Sequence, residues 1–318
     1  MRVLITGVAG FIGFSLANYL INNKKNVKVS GIDNYDNYYS VSLKKKRIRI
    51  LNKNKKFSFS RIDITKNEKL KKYFKNKKFD IVFHFAAQAG VRYSLINPKK
   101  YIDVNIYGFL NLINCIKKNK INKFIYASSS SVYGESKKFP LKEKGPTSPK
   151  NIYGYSKLIN EKIADYYSRI YNINSIGLRF FTVFGSWGRP DMFILKLLNK
   201  NKNNQVFQLN NSGVHYRDFT SITDIVKILE KLSRKKIAKH SVFNICANRP
   251  IFIKSLIQML RKYKSPLKIK NIPRNKADVF KTHGDNSKIV KYLNIKNFSR
   301  FEDELKKTID WFDTQKSV

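Results

Sequence analysis

Through residue 181, short runs of almost continuous apolar residues alternate with longer segments in which apolar residues recur every three or four positions. The short runs predict strands buried on both faces, and the longer segments predict amphipathic helices. The predicted strands are Val3–Thr6, Val27–Asp33, Phe57–Asp63, Asp80–Ala86, Lys123–Ser128 and Ile173–Phe181. This alternation is typical of an α/β fold, a doubly wound parallel sheet with helices on both faces.

The pattern becomes less regular beyond Thr182, where turn-rich segments such as 186–190 and 210–213 separate short helical stretches. We therefore divide the chain into a domain of residues 1–181 and a smaller lobe, mainly substrate-binding, of residues 182–318. The alternative that later segments around 215–247 return to the first domain stays open. Since no long low-complexity linker separates the two parts, we expect them to pack together with a ligand-binding cleft between them.

Composition adds one unusual feature, a strongly basic charge balance. The 318 residues include 64 Lys and Arg against 21 Asp and Glu, a net charge of +43. Such a balance favours a polyanion partner, so a basic nucleic-acid-binding protein is an alternative class. The lysines, however, are interspersed with asparagine and other residues of A/T-rich codons along the whole chain, as in 22–26, 52–56 and 199–204. A coding bias explains this spread better than a binding surface, and we predict no specific nucleic-acid partner.

The remaining composition narrows the protein class further. Hydrophobic residues make up 42% of the chain, which is enough for a substantial core. Cys115 and Cys246 lie in apolar stretches, far from any Cys or His at metal-ligand spacing, so we interpret both as packing residues and predict no metal site. No apolar run of about 18 residues occurs, and the chain opens directly on Arg2-Val3-Leu4, which predicts a soluble cytoplasmic protein without membrane insertion.

A glycine-rich turn follows the first predicted strand. Gly7, Gly10 and Gly13 stand at Gly-x-x-Gly-x-x-Gly spacing before the first predicted helix. Glycine lets backbone amides and the helix N-terminus approach a pyrophosphate, which a side chain would block. Asp33 ends the second strand, where a carboxylate accepts hydrogen bonds from a ribose and repels a 2′-phosphate. These features predict a dinucleotide site that prefers NAD to NADP, and they make residues 1–181 an NAD-binding domain.

Tyr153 and Lys157, one helical turn apart, form a candidate acid/base pair. A tyrosine normally titrates at about pH 10, so a nearby cation is needed if it is to act as a base at neutral pH. We expect the Lys157 ammonium to supply part of that charge. A strand ending in four consecutive serines, residues 128–131, precedes the pair and offers a hydroxyl to the phenol. His84 lies inside a strand and is interpreted as a structural residue.

Taken together, Thr6–Gly13, the serine strand, the Tyr153 and Lys157 pair, and Arg179–Met192 resemble the extended short-chain dehydrogenase/reductase family of nucleotide-sugar epimerases and dehydratases. The resemblance covers essentially the whole chain. It implies a Rossmann domain followed by a smaller substrate-binding lobe, NAD as the cofactor and a UDP-sugar as the substrate. It also implies a homodimer formed by two helices per subunit, one of which carries the Tyr/Lys pair.

The resemblance further implies roles for individual residues. Ser129 takes the place of the catalytic serine or threonine, with Ser130 as the alternative. The implied cofactor contacts are Gly7, Gly10, Phe11, Ile12, Gly13, Asp33, Asp63, Ile64, Ala86, Ala87, Gln88, Asn105, Tyr153 and Lys157. The implied substrate contacts are Arg92, Thr182, Arg189, Arg217 and Asp278. Among these, Thr182 and Arg189 are expected to meet a sugar carboxylate, and Arg217 is expected to meet the UDP phosphates.

Ser130 and Ser131 distinguish among the reactions of this family. Dehydratases carry an Asp-Glu pair at these positions, and UDP-glucuronate decarboxylases carry a glutamate just before the Val-Tyr-Gly that follows. Without such an acid, epimerisation at C4 is the implied reaction. The segments 31–44, 89–94 and 179–192 are most similar to UDP-glucuronate 4-epimerases, so we expect interconversion of UDP-glucuronate and UDP-galacturonate. An epimerase of UDP-glucose or a UDP-N-acetylhexosamine is the alternative.

Overall fold

A computed structural model describes residues 1–236, 238–275 and 277–315. The strands in these ranges are β1 (Arg2–Thr6), β2 (Lys28–Asp33), β3 (Phe57–Arg61), β4 (Ile81–His84), β5 (Lys123–Ser129), β6 (Asn174–Phe180), β7 (Thr182–Phe184), β8 (Phe207–Asn210), β9 (Tyr216–Ser221), β10 (His240–Ile245), β11 (Pro250–Phe252) and β12 (Ile269–Ile272).

The α-helices in the same ranges are α1 (Phe11–Asn23), α2 (Val41–Asn52), α3 (Asn67–Phe74), α4 (Tyr93–Ile96), α5 (Pro98–Tyr101), α6 (Gly108–Lys118), α7 (Ile152–Tyr171), α8 (Phe193–Lys202), α9 (Ile222–Arg234), α10 (Ile253–Arg261), α11 (Ser287–Leu293) and α12 (Phe301–Asp313). A π-helical segment spans Ile102–Tyr107, and short 3-10 turns span Ser130–Val132 and Asn211–Gly213.

Seven parallel strands form the central sheet, in the order β3-β2-β1-β4-β5-β6-β10. All six strands predicted from the sequence are present as β1 to β6, and the predicted fold class, a doubly wound α/β sheet, is confirmed. The strand order reverses between β1 and β4. At such a switch point the connections leave toward opposite sides, and a crevice opens beyond the carboxyl ends of the strands.

Helices cover both faces of the central sheet. Val3 and Ile5 of β1 pack into one apolar cluster with residues of α1 and α9, whereas Leu4 packs into a second cluster with residues of α3 and α6. Successive side chains of a strand point to opposite faces, so an apolar run such as Val3-Leu4-Ile5 supplies both clusters at once. The sheet is therefore buried on both faces, and the crevice lies at its carboxyl edge.

The smaller lobe contains a three-stranded sheet, β11-β9-β7, and a two-stranded sheet, β12-β8. Its own core includes Leu198 of α8, Leu256 of α10 and Leu305 of α12. The chain beyond residue 181 also contributes to the first domain, because α9 packs with α1 and β10 pairs with β6. The central sheet is therefore completed by chain from the second half of the sequence.

Cys115 and Cys246 are buried free thiols that pack in apolar clusters. Within the described ranges, no helix has the length and apolar character needed to cross a membrane.

Candidate active site

A cleft of about 420 Å³ runs from the carboxyl ends of the central strands to the smaller lobe. It brings together most of the residues predicted for the site. Those lining the cleft are Gly7, Gly10, Phe11, Ile12, Gly13, Asp33, Asp63, Ile64, Ala86, Ala87, Gln88, Ser129, Ser130, Tyr153, Lys157, Thr182, Arg189, Arg217 and Asp278.

The glycine turn between β1 and α1 borders the cleft with bare backbone. Gly7 has a φ of +70°, and a Cβ on it would lie 2.5 Å from the amide nitrogen of Ala86. A Cβ on Gly13 would lie 2.3 Å from the Gly7 carbonyl oxygen. No side chain caps the N-terminus of α1, and no acidic residue occurs in its first turn, so its amides are available to an anion. These features fit the pyrophosphate of a dinucleotide.

Asp33 and Asp63 place two carboxylates beside this turn. Asp33 accepts hydrogen bonds from the backbone N–H groups of Ala9, at 3.1 Å, and Tyr35, at 2.8 Å. Burial raises the pKa of Asp33 despite these bonds. Burial would also raise the pKa of Asp63, but hydrogen bonds from Asn34 and Thr65 outweigh it and the pKa is lowered. Both carboxylates keep acceptor positions for ribose hydroxyls, since a carboxylate has about four.

Tyr153, Ser129 and Lys157 all line the cleft. Ser129 ends β5, its hydroxyl accepts a hydrogen bond from the Ser131 N–H at 3.1 Å, and its interaction with the Tyr153 phenol lowers the pKa of that phenol. Lys157, 3% exposed, donates to the Ala127 carbonyl oxygen at 3.0 Å. The side chain of Asn151 caps α7 by accepting from the Gly154 N–H, which begins the helix just before the pair. The Asn151 cap fixes the start of α7, which carries Lys157, and the end of β5 fixes Ser129. Both neighbours of the Tyr153 phenol are therefore held in place.

Burial has the largest effect on the pKa of Tyr153. Burial raises this pKa, and the opposing effects are the Ser129 hydrogen bond and the charge of Arg189. Lys157 is deeply buried, and burial lowers its pKa to about 8. Burial thus disfavours charge on both side chains, and the role of Lys157 in favouring the phenolate stays a prediction. His84, beneath them, is neutral, because burial and the charge of Lys157 lower its pKa to about 3.

Arg189 reaches the cleft from the loop after β7, beside Thr182. Its guanidinium forms a bidentate pair with Asp191, with Nε to Oδ1 at 3.0 Å and Nη2 to Oδ2 at 2.5 Å. The Tyr38 hydroxyl donates to the same carboxylate at 3.1 Å. Burial raises the pKa of Tyr38 to about 12, so it remains a donor at neutral pH. Asp191 therefore holds Arg189 by its Nε and Nη2 edge, and among the described residues Nη1 has no hydrogen-bond partner and can meet a ligand.

A cluster of arginines surrounds Asp278 on the side of the cleft formed by the smaller lobe. Arg92 pairs with Asp278 at 2.7 Å, and Arg274 donates to the carbonyl oxygen of Asp278 at 3.0 Å. Arg217 donates through Nη1 to the carbonyl oxygens of Tyr216 and Phe280. Burial lowers the pKa of Arg217 to about 10, which still leaves it charged at neutral pH. This concentration of cations suits a diphosphate.

Two predicted contact residues lie outside the cleft lining. Asn105, in the π-helical segment, is 1% exposed, and its amide exchanges hydrogen bonds with the backbone N–H and carbonyl of Gln88. It also donates to the Ser156 hydroxyl at 2.9 Å. Asn105 thus holds the Gln88 loop against α7, and its role as a cofactor contact stays a prediction. Arg92 reaches the cleft through its ion pair with Asp278, and its role as a substrate contact stays a prediction too.

Sequence reasoning missed several residues at the site. Tyr38 and Lys44 line the cleft, and Arg47 lies just behind its glycine turn. Lys44 and Arg47 belong to a Lys/Arg-rich run that is typical of a solvent-exposed helix face. The signal for Arg47 was its spacing, because Leu43, Arg47 and Leu51 recur every four residues on the buried face of α2.

Residues 3–246 match the NAD dependent epimerase/dehydratase family, and the chain belongs to that family. Among its relatives, an uncharacterised protein of Methanocaldococcus jannaschii is 40% identical, with 98% of this chain and 96% of that protein covered. UDP-glucuronate 4-epimerase 4 of Arabidopsis thaliana is 38% identical, with 98% of this chain and 75% of that protein covered.

A solved structure extends the likeness to three dimensions. UDP-glucuronic acid 4-epimerase from Bacillus cereus, in complex with UDP-glucuronic acid and NAD, superposes with a TM-score of 0.92 at 31% identity. The match covers 98% of this chain and 99% of that chain. The predicted family and its Rossmann-type fold are thus confirmed.

Proposed function

We propose that this protein is an NAD-dependent epimerase that interconverts UDP-glucuronate and UDP-galacturonate at C4. The observation that carries the proposal is the single cleft in which Ser129, Tyr153 and Lys157 stand between the glycine turn and Arg189. Its support comes also from the relatives of Arabidopsis thaliana and Bacillus cereus, whose names specify UDP-glucuronate 4-epimerases.

In the proposed reaction, Tyr153 removes the proton of the sugar 4-hydroxyl and later returns it to the same oxygen. NAD, held by the glycine turn and Asp33, would supply the hydride acceptor and donor for C4. Ser129 donates to the oxygen at C4 as it becomes a ketone, and Lys157 contributes a nearby positive charge. Turnover of the 4-keto sugar in the cleft would present the opposite face of C4, which inverts the configuration there.

Ser130 and Ser131 line the cleft where the other reactions of the family would need an acid. The carboxylates among the described cleft residues are Asp33, Asp36, Asp63 and Asp278, and none of them belongs to the serine segment 128–131. With hydroxyls in place of acids, the site supports oxidation and return of hydride without elimination.

Arg189 and Thr182 are the proposed contacts of the C6 carboxylate. The 4-keto form of a uronic acid is a β-keto acid, which loses CO₂ readily, so its carboxylate must stay held during turnover. Because Asp191 fixes one edge of Arg189, the free edge meets the carboxylate without swinging toward the ketone. The other site residues keep the roles proposed from the sequence. NAD is assigned to Gly7 to Gly13, Asp33 and Asp63, and UDP is assigned to Arg217 and Asp278.

The Tyr153→Phe variant tests this proposal. We expect it to lower kcat by about 10²- to 10⁴-fold, because the phenol is the proton acceptor, while NAD stays bound. The measurement is conversion of UDP-glucuronate to UDP-galacturonate followed by chromatography, with NAD content determined on the denatured protein. Tyr171→Phe, at the exposed end of the same helix, serves as the control. Full activity in Tyr153→Phe would refute the mechanism.

A substrate panel separates the proposed substrate from the alternative. If Arg189 binds the sugar carboxylate, kcat/KM is higher for UDP-glucuronate than for UDP-glucose or UDP-N-acetylglucosamine. Preference for a neutral sugar would assign the protein to the alternative class of 4-epimerases.

We further propose a cytoplasmic homodimer. Tyr155, Ile159, Tyr166 and Ile170 are exposed apolar residues of α7, and their spacing places them on one face of the helix. Such a face supports pairing with a second copy, because isolated apolar patches of this kind are typical of interaction sites. Two buried free thiols, Cys115 and Cys246, are in keeping with a reducing compartment.

A further inference from the structure

Arg47 of α2 is a fully buried cation, with 0% of its surface exposed. Within the described part of the chain, no carboxylate lies at salt-bridge distance from it. Buried arginines are normally paired with an acid, since an uncompensated charge in the interior is costly. The position of Arg47 therefore requires a reason other than an ion pair.

Four oxygen atoms from three different segments accept hydrogen bonds from Arg47. Its Nη1 donates to the Ala9 carbonyl oxygen at 2.8 Å and to the Tyr39 hydroxyl at 2.9 Å. Its Nη2 donates to the carbonyl oxygens of Trp187, at 2.5 Å, and Gly188, at 2.9 Å. Ala9 belongs to the glycine turn, so one guanidinium joins the proposed cofactor site to the loop that follows β7.

The loop after β7 has a backbone that needs such support. Trp187 has a φ of +63°, a left-handed conformation that is unfavourable for a bulky residue and persists only where its surroundings enforce it. Its ring packs between Phe14 and Trp311, with ring centroids 5.3 Å away in each case. Arg47 holds the two carbonyl groups immediately before Arg189, the residue proposed to meet the sugar carboxylate.

We infer that Arg47 is a positioning residue that sets the preference for a charged sugar, by fixing Arg189 relative to the glycine turn. This inference rests on the proposed function. Arg47 itself does not line the cleft, so it acts through Arg189 and through the loop. Its planar guanidinium is required, because a lysine ammonium cannot bond in one plane to carbonyl groups on two sides. A displacement of about 1 Å in such a contact can cost about 10²-fold in rate.

A double-mutant cycle tests this inference. Dissociation constants for UDP-glucuronate and UDP-glucose are measured by calorimetry with saturating NAD, on a Tyr153→Phe background that prevents turnover. The variants are Arg47→Met, Arg189→Met and the two combined. We expect Arg189→Met to remove a preference of about 10- to 100-fold for UDP-glucuronate, the range for a hydrogen bond to a charged group. Arg47→Met should remove at least about fivefold of it, and the double variant should be no worse than Arg189→Met.

Two further variants keep the result interpretable. Lys45→Met removes a neighbouring charge of α2 at an exposed position and should leave the preference unchanged. Arg47→Lys retains charge and bulk in case Arg47→Met does not fold, and it should lose the same preference. The inference is overturned if Arg47→Met lowers the affinity for UDP-glucuronate and UDP-glucose equally, or if the losses of preference in the two single variants add up in the double variant. It is also overturned if Arg47→Lys keeps the full preference for UDP-glucuronate. If Arg189→Met has no effect on the preference, the role of Arg189 in the proposed function fails instead.

Discussion

At the scale of single residues, burial opposes the charged forms of both members of the proposed acid/base pair. It raises the pKa of Tyr153 and lowers that of Lys157 to about 8. Both effects have one cause, the loss of water around a charge. Arg189 opposes this effect on Tyr153, and NAD, when bound in its oxidised form, would add the positive charge of its nicotinamide. We therefore expect Tyr153 to become an effective base only in the NAD-loaded protein.

Asp218 of β9 provides a prediction about pH and stability. It is fully buried, and burial raises its pKa from 3.8 to about 6 despite hydrogen bonds from backbone amides. The folded protein thus binds this proton more tightly than the unfolded chain. The resulting stabilisation is fully present below the unfolded pKa and is lost as the pH rises through the folded pKa. At neutral pH the ionised Asp218 should therefore lower the unfolding free energy of the wild-type protein, an effect that Asp218→Asn lacks.

Urea denaturation at a series of pH values measures this effect. Between about pH 4 and about pH 7, the unfolding free energy of Asp218→Asn should rise relative to wild type by on the order of 2 kcal/mol. Asp310→Asn, at an exposed position of α12, provides the control. Parallel curves for Asp218→Asn and wild type would contradict the assignment.

At the scale of elements, the approach of α1 to the end of β1 leads to a prediction about cofactor binding. Alanine is about 1 kcal/mol better than glycine inside a helix, so propensity alone would favour Gly13→Ala. The added Cβ, however, would lie 2.3 Å from the Gly7 carbonyl oxygen. This clash cannot be relieved by a side-chain rotation, so the backbone of α1 or of the glycine turn has to move. We expect α1 to shift and NAD affinity to fall by at least about tenfold, the equivalent of one hydrogen bond to a charged group.

The NAD content of purified Gly13→Ala and its dissociation constant by fluorescence test this expectation. Asn18→Ala, about one turn and a half further along α1, provides the control, because it also gains helix propensity, somewhat less than Gly13→Ala does, without the backbone contact. Wild-type NAD affinity in Gly13→Ala would show that the turn does not need a bare backbone at this position.

The sequence predicted elements well where a run of consecutive residues is buried. Runs such as Val3-Leu4-Ile5 supply both faces of a sheet, so β1 to β6 were found at their places, and the site residues at strand ends followed from them. The register of β10 and the two small sheets depend on pairing between distant segments, which no local pattern contains. No local pattern shows that Asn105 lies in a π-helical segment and is buried. Arg47 was missed because a lysine- and arginine-rich run gives no sign that one of its cations is buried.

At the scale of the whole molecule, the apolar face of α7 predicts the effect of one charge on assembly. Ile170 is 56% exposed, so Ile170→Glu should fold normally, yet a carboxylate there would be desolvated on pairing. We expect light scattering to give a mass near the monomer value of 37.2 kDa for this variant and twice that mass for wild type. Val206→Glu, at a similarly exposed apolar position away from α7, should remain dimeric. A dimeric Ile170→Glu would place the interface elsewhere.

The late position of β10 in the chain has a consequence for synthesis on the ribosome. Its partner β6 is almost entirely buried in the finished sheet, and His240 aligns with Ser175 in the register. Domains begin to fold as the N-terminal part of the chain emerges, whereas an unpaired strand edge is a template for other chains. Between the emergence of β6 and that of β10, the nascent protein carries six ordered strands, and β6, which is buried in the finished sheet, is exposed at the edge opposite β3. That interval is where we expect molecular chaperones to contact the growing chain.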